Sequence, residues 1–214
     1  MTAPIEISMP GAFARDSRIR ATTVVVLGLW AIGVLVGALW AAMAPSIHAV
    51  VAITRGGERV HDYLGTESQH FFVAPTLMLG LLGVVGVVSP VLVWQWREHR
   101  GPAMVAALTI GLTGTAAAAA AVGAGLVRLR YGVLNFDAVP LPGEHAIAYV
   151  VQAPPVFFSH GVWQVLATLA LPGGTAALVY AVLAAASARD DLGAFAAPGP
   201  GTGALPIEPE ASVP

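Results

Sequence analysis

The stretch LLGVVGVVSPVLVWQWREHRGPAMVAALTIGL, residues 81–112, decides the fold of this chain. Two apolar runs meet there at a five-residue connection, 97–101, which carries two arginines. The first run extends back to residue 73 and the second continues to residue 127. Each run therefore exceeds the about 20 residues that an α-helix needs to cross a hydrocarbon core of about 30 Å. The stretch predicts two consecutive transmembrane helices.

The rest of the chain contains two more runs of this kind, and none of the four contains Lys, Arg, Asp, Glu or His. With 57% apolar and 10% charged residues, the composition lies outside the range of soluble globular proteins. Helices are expected because a backbone inside a bilayer must satisfy its own hydrogen bonds. The predicted fold is an all-α bundle of four transmembrane helices with a small extracytoplasmic β-cap. The predicted spans are 21–44, 73–96, 102–127 and 161–187.

The β-cap is predicted first from the loop 45–72. Residues 49–54 are rich in β-branched side chains and alternate, Gly56 and Gly57 permit a turn, and residues 58–63 can return as a second strand. A lone hairpin is marginally stable in water, so this one needs a partner. The loop predicts a hairpin that packs on another part of the chain.

The second long loop, 128–160, offers that partner. Residues 131–136 and 145–151 both have the composition of short strands, and prolines and a glycine separate them. The two loops are therefore expected to form one small sheet.

The orientation in the membrane is predicted from arginine, because the chain has no lysine and basic residues flanking a span are retained in the cytoplasm. The arginines used for this prediction are Arg15, Arg18, Arg20, Arg97 and Arg100. Four further arginines lie in the two long loops and weigh against it. The prediction places the segments 1–20 and 188–214 in the cytoplasm. The second of these is rich in Pro, Gly and Ala and is expected to be a disordered tail.

Tryptophans near the ends of the apolar runs agree with these boundaries, because Trp prefers the headgroup level of a bilayer. The predicted interface anchors are Trp40, Trp94, Trp96 and Trp163.

The N-terminus allows a different interpretation. Arginines, an apolar run and the sequence Ala42-Met43-Ala44 resemble a secretory signal, and cleavage there would remove residues 1–44. The apolar run exceeds 20 residues, whereas a signal core has about 7–15, so a first transmembrane helix is the preferred interpretation.

Contacts between the helices are expected at small residues, since lipid gives apolar side chains no reason to leave it for one another. Two of the candidate glycines form a GxxxG pattern in the first span, and three are spaced by three residues in the second. The predicted helix-packing residues are Gly33, Gly37, Gly80, Gly83 and Gly86.

Chemistry is less clearly indicated. Five of the six histidines lie in the long loops, where imidazole and carboxylate groups could bind a metal ion. The candidate ligands are His61, Asp62, Glu67, His70 and His145. The alternative is that polar loops are simply where a membrane protein carries histidine. Signatures of hydrolases, nucleotide-binding loops and zinc proteases are absent from the sequence, so we expect no catalytic residue, no cofactor and no nucleic-acid partner.

Five blocks carry a resemblance: ITRGGERVHDYLG, HFFVAP, VWQWREHRGPAMVAALTIGL, VRLRYGV and APPVFF. Over about residues 25–193 the chain resembles a family of small four-span membrane proteins of unknown function from mycobacteria and related actinobacteria. The resemblance implies a source and a topology and no activity.

Three functions are compatible with the sequence. An apolar bundle without buried charge and with patterned outer loops favours a non-enzymatic accessory or scaffold subunit of the cell envelope, whose β-cap docks a membrane or envelope protein. A small-molecule or lipid transport component acting as an oligomer is the alternative, since prolines interrupt two of the spans. A metal-binding surface enzyme is the third.

Overall fold

The computed structural model describes residues 10–141, 143 and 146–187, and side chains from residue 19 onward. Within this part of the chain lie four α-helices and three β-strands. The helices are α1 (Pro10–Met43), α2 (His70–Trp94), α3 (Pro102–Tyr131) and α4 (Val162–Ala185). The strands are β1 (Ile47–Ile53), β2 (Arg59–Tyr63) and β3 (Ile147–Gln152). The expected tail, 188–214, lies outside the described residues.

Each of the four described helices is long and apolar enough to cross a membrane, so the four long apolar helices that the sequence predicts are present. The two largest differences from the predicted boundaries are at the start of α1 and the end of α3. Helix α1 begins upstream of residue 21, and α3 continues past residue 127 to Tyr131. Gly132, with a φ of 74°, ends α3 because its backbone leaves the helical region. Arg128 and Arg130 therefore lie on the last turn of α3.

The helices do not pack in chain order. Helix α1 packs on α3, α3 on α4, and α4 on α2, so the order across the bundle is α1, α3, α4, α2. Gly33 lies against Thr115 and, one turn later in both helices, Gly37 lies against Ala119. Since the contacts advance together along both helices, α1 and α3 run in the same direction.

Small residues bring α1 and α3 into backbone contact. A β-carbon at Gly33 would lie 2.5 Å from the carbonyl oxygen of Thr115, and one at Gly37 would lie 2.5 Å from that of Ala119. The Thr115 hydroxyl donates a hydrogen bond of 2.8 Å to the carbonyl oxygen of Leu29 in α1. Close backbone approach and interhelical hydrogen bonds are the interactions that hold helices together in lipid.

A proline-glycine step in α4 contacts helices on both sides. A β-carbon at Gly86 of α2 would lie 3.1 Å from the carbonyl oxygen of Pro172. A β-carbon at Gly173, the next residue, would lie 2.8 Å from the carbonyl oxygen of Thr109 in α3. Helix α4 thus sits between α2 and α3, with its backbone close to both.

The described strands form an antiparallel sheet in the order β2-β1-β3. Val50 of β1 lies opposite Asp62 of β2 on one side and opposite Tyr149 of β3 on the other. The predicted hairpin and its pairing with a strand from the second long loop are confirmed. We call the end of the bundle that carries this sheet the sheet end. The opposite end, with the connection 97–101, is the arginine end.

The predicted strand at 131–136 is wrong. Tyr131 is the last residue of α3, and Phe136–Ala138 forms a single 3-10 turn. The Arg59 side chain donates hydrogen bonds to the carbonyl oxygens of Phe136, at 3.0 Å, and Val139, at 2.7 Å. This segment is therefore held to β2 by an arginine side chain and not by strand pairing.

Candidate functional site

The sheet has one buried face and one exposed apolar face. Ile47, Ala49 and Val51 of β1 are fully buried. On the opposite face Tyr149 is 75% exposed and Ile147 is 62% exposed. We call this the outer face, and its apolar residues are Val50, Ala52, Val60, Ile147, Tyr149 and Val151. The solvated face of an antiparallel sheet is usually polar, so an apolar outer face is a candidate interaction surface.

The edges of the sheet add hydrogen-bonding capacity to this surface. Strands β2 and β3 are the two edges, and no described residue continues the sheet beyond either of them. An edge strand presents unpaired N–H and C=O groups to a partner. Because β3 carries Ile147 and Tyr149 next to its free edge, an extended segment of another protein could add a strand there and bury both side chains.

Two of the predicted metal ligands instead attach the sheet to α2. The backbone N–H of His48 in β1 donates a hydrogen bond of 2.5 Å to the Glu67 carboxylate, just before α2. The His48 Nδ1 atom lies 2.8 Å from the same oxygen. His70, the first residue of α2, has its Nδ1 atom 2.7 Å from the carbonyl oxygen of Ser46. These contacts hold Ser46 and His48, on either side of the first residue of β1, against the start of α2.

The other candidate ligands lie apart from this cluster. The His61 ring stacks on Phe136 with the ring centroids 4.2 Å apart. The Asp62 carboxylate accepts a hydrogen bond from the backbone N–H of Tyr63. His145 lies outside the described residues. Among the residues that the structure describes, no three His, Asp or Glu side chains come together as a metal site.

The link between β1 and α2 is expected to depend on pH. The N–H of His48 lowers the pKa of Glu67; burial opposes this shift, whereas the His48 side chain and the charges of His48 and His70 support it. A carboxyl group with a lowered folded-state pKa stabilises the fold above its unfolded pKa, about 4.3, and this contribution is lost as pH falls through the folded value. Protection of the β1 amides from hydrogen exchange, corrected for the intrinsic rate, should therefore fall as the pH is lowered below 4.3.

Two variants separate this link from general acid effects. Glu67→Gln should lower protection of the His48 amide at neutral pH and remove most of its acid dependence. Glu58→Gln, in the turn between β1 and β2, should keep the response of the native chain. Equal responses in the two variants would contradict a specific role of Glu67.

A cleft of about 400 Å³ lies beside the sheet, between the start of α2, the end of α3 and the segment that follows β3. Its walls are mostly aromatic and apolar: Phe71, Phe72, Pro154, Pro155, Val156 and Phe157. Gln152 also lines the cleft, and its buried Oε1 atom has no hydrogen-bond partner within the described part of the chain. Arg128 and His160 also line the cleft. This composition suits an apolar ligand with one polar group.

The predicted helix-packing glycines fall into two groups. Gly33, Gly37 and Gly86 lie against the backbone of a neighbouring helix, as described above. A β-carbon at Gly80 or Gly83 would meet no described atom within 4 Å.

The predicted interface tryptophans also differ among themselves. Trp163 is 84% exposed, Trp96 is exposed and Trp94 is partly buried. Trp40 is fully buried, and its Nε1 atom donates a hydrogen bond of 2.7 Å to the carbonyl oxygen of Ala74. A side chain in the core cannot act as an interface anchor, so the expectation for Trp40 is corrected.

The arginines used to predict orientation lie at one end of the bundle where their side chains are described. Arg20 and Arg97 line a cavity there. The Arg100 guanidinium lies 4.3 Å from the ring centroid of Trp94, and its Nε donates to the Trp94 carbonyl oxygen at 2.9 Å. The side chains of Arg15 and Arg18 lie outside the described part.

Sequence reasoning missed the outer face and the cleft. The outer face had a signal in the sequence, because β3 is apolar at nearly every position from Ile147 to Val151. A strand that buries only one face should be apolar at alternate positions only. The cleft has no such signal, since its walls come from three distant parts of the chain.

Four helices of membrane-spanning length and composition, with a small sheet at one end, are the architecture of a multi-pass membrane protein, and the chain is compatible with that class. The family described as "Protein of unknown function (DUF2567)" matches residues 29–194, and the chain belongs to this family. The resemblance to an actinobacterial family of unknown function is thereby confirmed.

Mycobacterial proteins are similar to this chain over most of its length. The uncharacterized protein Rv1591 of Mycobacterium tuberculosis is 64% identical over 180 residues, which cover 84% of this chain and 93% of the relative. The uncharacterized protein ML1222 of Mycobacterium leprae is 68% identical over 169 residues, which cover 79% of this chain and 85% of the relative. No solved structure shows a significant match.

Proposed function

We propose that this protein is a non-enzymatic accessory subunit of the cell envelope that docks a partner protein through the outer face of its sheet. The proposal includes a location in the plasma membrane with both termini in the cytoplasm and the sheet outside. The observation that carries it is the exposed apolar strip of β3, where Ile147, Tyr149 and Val151 line one face beside a free edge.

Charge supports the proposed orientation. Arg20, Arg97 and Arg100 cluster at the arginine end close to the ends of the apolar helices, and basic residues in short connections favour the cytoplasmic side. Arg128 and Arg130 at the sheet end oppose this. The connection between α2 and α3 is only a few residues long, so Arg97 and Arg100 lie near the ends of two spans at once, where basic residues influence orientation.

The chemistry of the sheet favours a protein partner over lipid. An open sheet edge inside hydrocarbon would leave its N–H and C=O groups unpaired at several kcal/mol each, so the edges must lie in water or against protein. A tyrosine flanked by aliphatic residues is the kind of side chain that anchors protein interfaces, because it buries a large apolar area and keeps a polar tip.

Site-specific photo-crosslinking tests the proposal. A photoreactive phenylalanine analogue at position 149 of the full-length protein, in membranes of the native host, should give an adduct with a distinct envelope protein that mass spectrometry identifies. The same analogue at position 129 is the matched control, since Leu129 is exposed at the sheet end but lies outside the sheet. It should not give that adduct.

Affinity measurements with the identified partner complete the test. Ile147→Ser with Tyr149→Ser should weaken capture of that partner by about tenfold or more, because loss of one interface anchor typically costs about 2 kcal/mol. Leu129→Ser should leave capture unchanged. Adducts only with a second copy of this chain, or equal capture by both variants, would overturn docking of a separate partner.

The cleft favours a second candidate function, the handling of a lipid or an apolar small molecule. Its aromatic and proline walls and the unpaired Gln152 oxygen resemble a ligand site more than a packing defect. If position 149 gives no protein adduct and the purified protein retains a lipid that Gln152→Leu loses, this function replaces the docking role.

A further inference from the structure

A cavity at the arginine end lies between α1, near Arg20, and the connection that joins α2 to α3. Its volume is about 780 Å³. Ala21, Val24 and the Trp96 indole supply an apolar wall, and Arg20 and Arg97 supply a cationic one. The cavity is therefore amphipathic, and α1 and the connection each contribute to both kinds of lining.

Within the described part of the chain, no carboxylate forms a salt bridge with the cationic wall. Glu98 is the acid among the described lining residues, and no salt bridge joins it to Arg20, Arg97 or His99 in the part of the chain that the structure describes. Two guanidinium groups on facing segments can each offer a planar pair of donors to a phosphate or carboxylate. An anion in this cavity would meet both.

The position of the connection is fixed from α4. The backbone N–H of Gly101 donates a hydrogen bond of 3.0 Å to the Tyr180 hydroxyl oxygen, and the Tyr180 ring packs edge-on against Trp94 with centroids 5.0 Å apart. Arg100 is held over Trp94 as described above. The segment that carries Arg97 and His99 is thus anchored at both ends, which reduces the entropy lost when a ligand binds.

We propose that this cavity binds a phosphate group carried on an apolar or glycerol moiety, with Arg20 and Arg97 as the phosphate ligands. Two sources share this chemistry: the headgroup of an anionic phospholipid and a soluble glycerol phosphate. The cavity continues onto the lipid-facing apolar surface of α1 at Val24, which is 55% exposed, and basic pockets between helices are typical headgroup sites.

The test uses the full-length protein in detergent. It is mixed with phosphatidylglycerol and phosphatidylcholine in equal amounts, and the lipids retained on the protein are counted by native mass spectrometry. A separate arm measures glycerol 3-phosphate binding by calorimetry. Retention of phosphatidylglycerol about tenfold above phosphatidylcholine is expected, since each arginine near a membrane surface strengthens binding of anionic lipid severalfold.

Two double variants test whether Arg20 and Arg97 are the phosphate ligands. Arg20→Gln with Arg97→Gln should abolish the preference, and Arg55→Gln with Arg130→Gln, which removes the same charge at the sheet end, should preserve it. Glycerol 3-phosphate binding that the first pair alone removes would support the site with a soluble source. Equal effects of both pairs, or no phosphate-dependent binding in either arm, would overturn the proposal.

Discussion

Replacing Gly37 with valine is expected to force α1 away from α3 and to destabilise the protein by about 3 kcal/mol or more. That figure is at the upper end of the range for overpacking in a core. The measurement is thermal unfolding of the detergent-solubilised protein, followed as the fraction that remains monodisperse after heating. For a chain of this size such a loss corresponds to a lower melting temperature by about 6–12 °C.

The size of this effect follows from the atoms that a new side chain would meet. The first added carbon at Gly37 would lie 2.5 Å from the carbonyl oxygen and 3.0 Å from the α-carbon of Ala119. Both belong to the backbone of α3, so no side-chain rotation relieves the contact. The helices must separate, and the neighbouring contact between Gly33 and Thr115 is weakened with them.

Gly28→Val is the matched control, because Gly28 lies in the same helix and a β-carbon there would meet no described atom within 4 Å. This substitution adds the same volume to the same helix at a position facing away from α3. It should leave the melting temperature within a few degrees of the native value. Equal destabilisation by the two variants would mean that glycine acts through the flexibility of α1 and not through close packing.

The sequence predicted the four helices because apolar length is a local property of the chain. It did not predict the neighbour order α1, α3, α4, α2, since the apolar runs of all four helices lack a charged residue that would select a partner. The spacing of glycines held more information than their number. Gly33 and Gly37 are four residues apart and both lie against α3. A β-carbon at Gly80 or Gly83 would meet no described atom within 4 Å.

At the sheet end, sequence reasoning identified side chains but not their partners. Glu67 and His70 are three residues apart in sequence, and carboxylate and imidazole groups can share a metal ion. Their contacts, His48 and Ser46, lie about 20 residues earlier, at the start of a strand whose position depends on its pairing with β3. Such contacts are set by tertiary structure, so local spacing could not distinguish a metal site from a structural link.

The surroundings of Trp40 are also set by tertiary structure, so local sequence could not predict them. The preference of tryptophan for membrane interfaces is a statistical rule, and at this position packing overrides it. The indole is fully buried and fills the space that Gly123 leaves open, where a β-carbon would lie 2.7 Å from the ring. Its Nε1–H joins α1 to the first turns of α2 through Ala74.

Trp40→Ala is therefore expected to destabilise the protein by about 3–5 kcal/mol, the usual cost of removing a large aromatic side chain from a core. Trp40→Phe keeps most of the ring volume and removes the hydrogen bond, so its cost should be smaller and should include about 1 kcal/mol for that bond. Both are measured by the same thermal assay in one detergent, with Trp163→Ala as the control for losing an exposed tryptophan.

The order of stability among the three variants tests whether Trp40 joins the helices. If Trp40 closes the sheet end by joining α1, α2 and α3, stability should fall in the sequence Trp163→Ala, Trp40→Phe, Trp40→Ala, and the sheet should loosen together with the helices. Increased proteolysis of the loop 54–58 in Trp40→Ala would report that coupling. A Trp40→Ala protein as stable as Trp163→Ala would mean that the glycine contacts alone hold α1 in place and that Trp40 contributes no net stability.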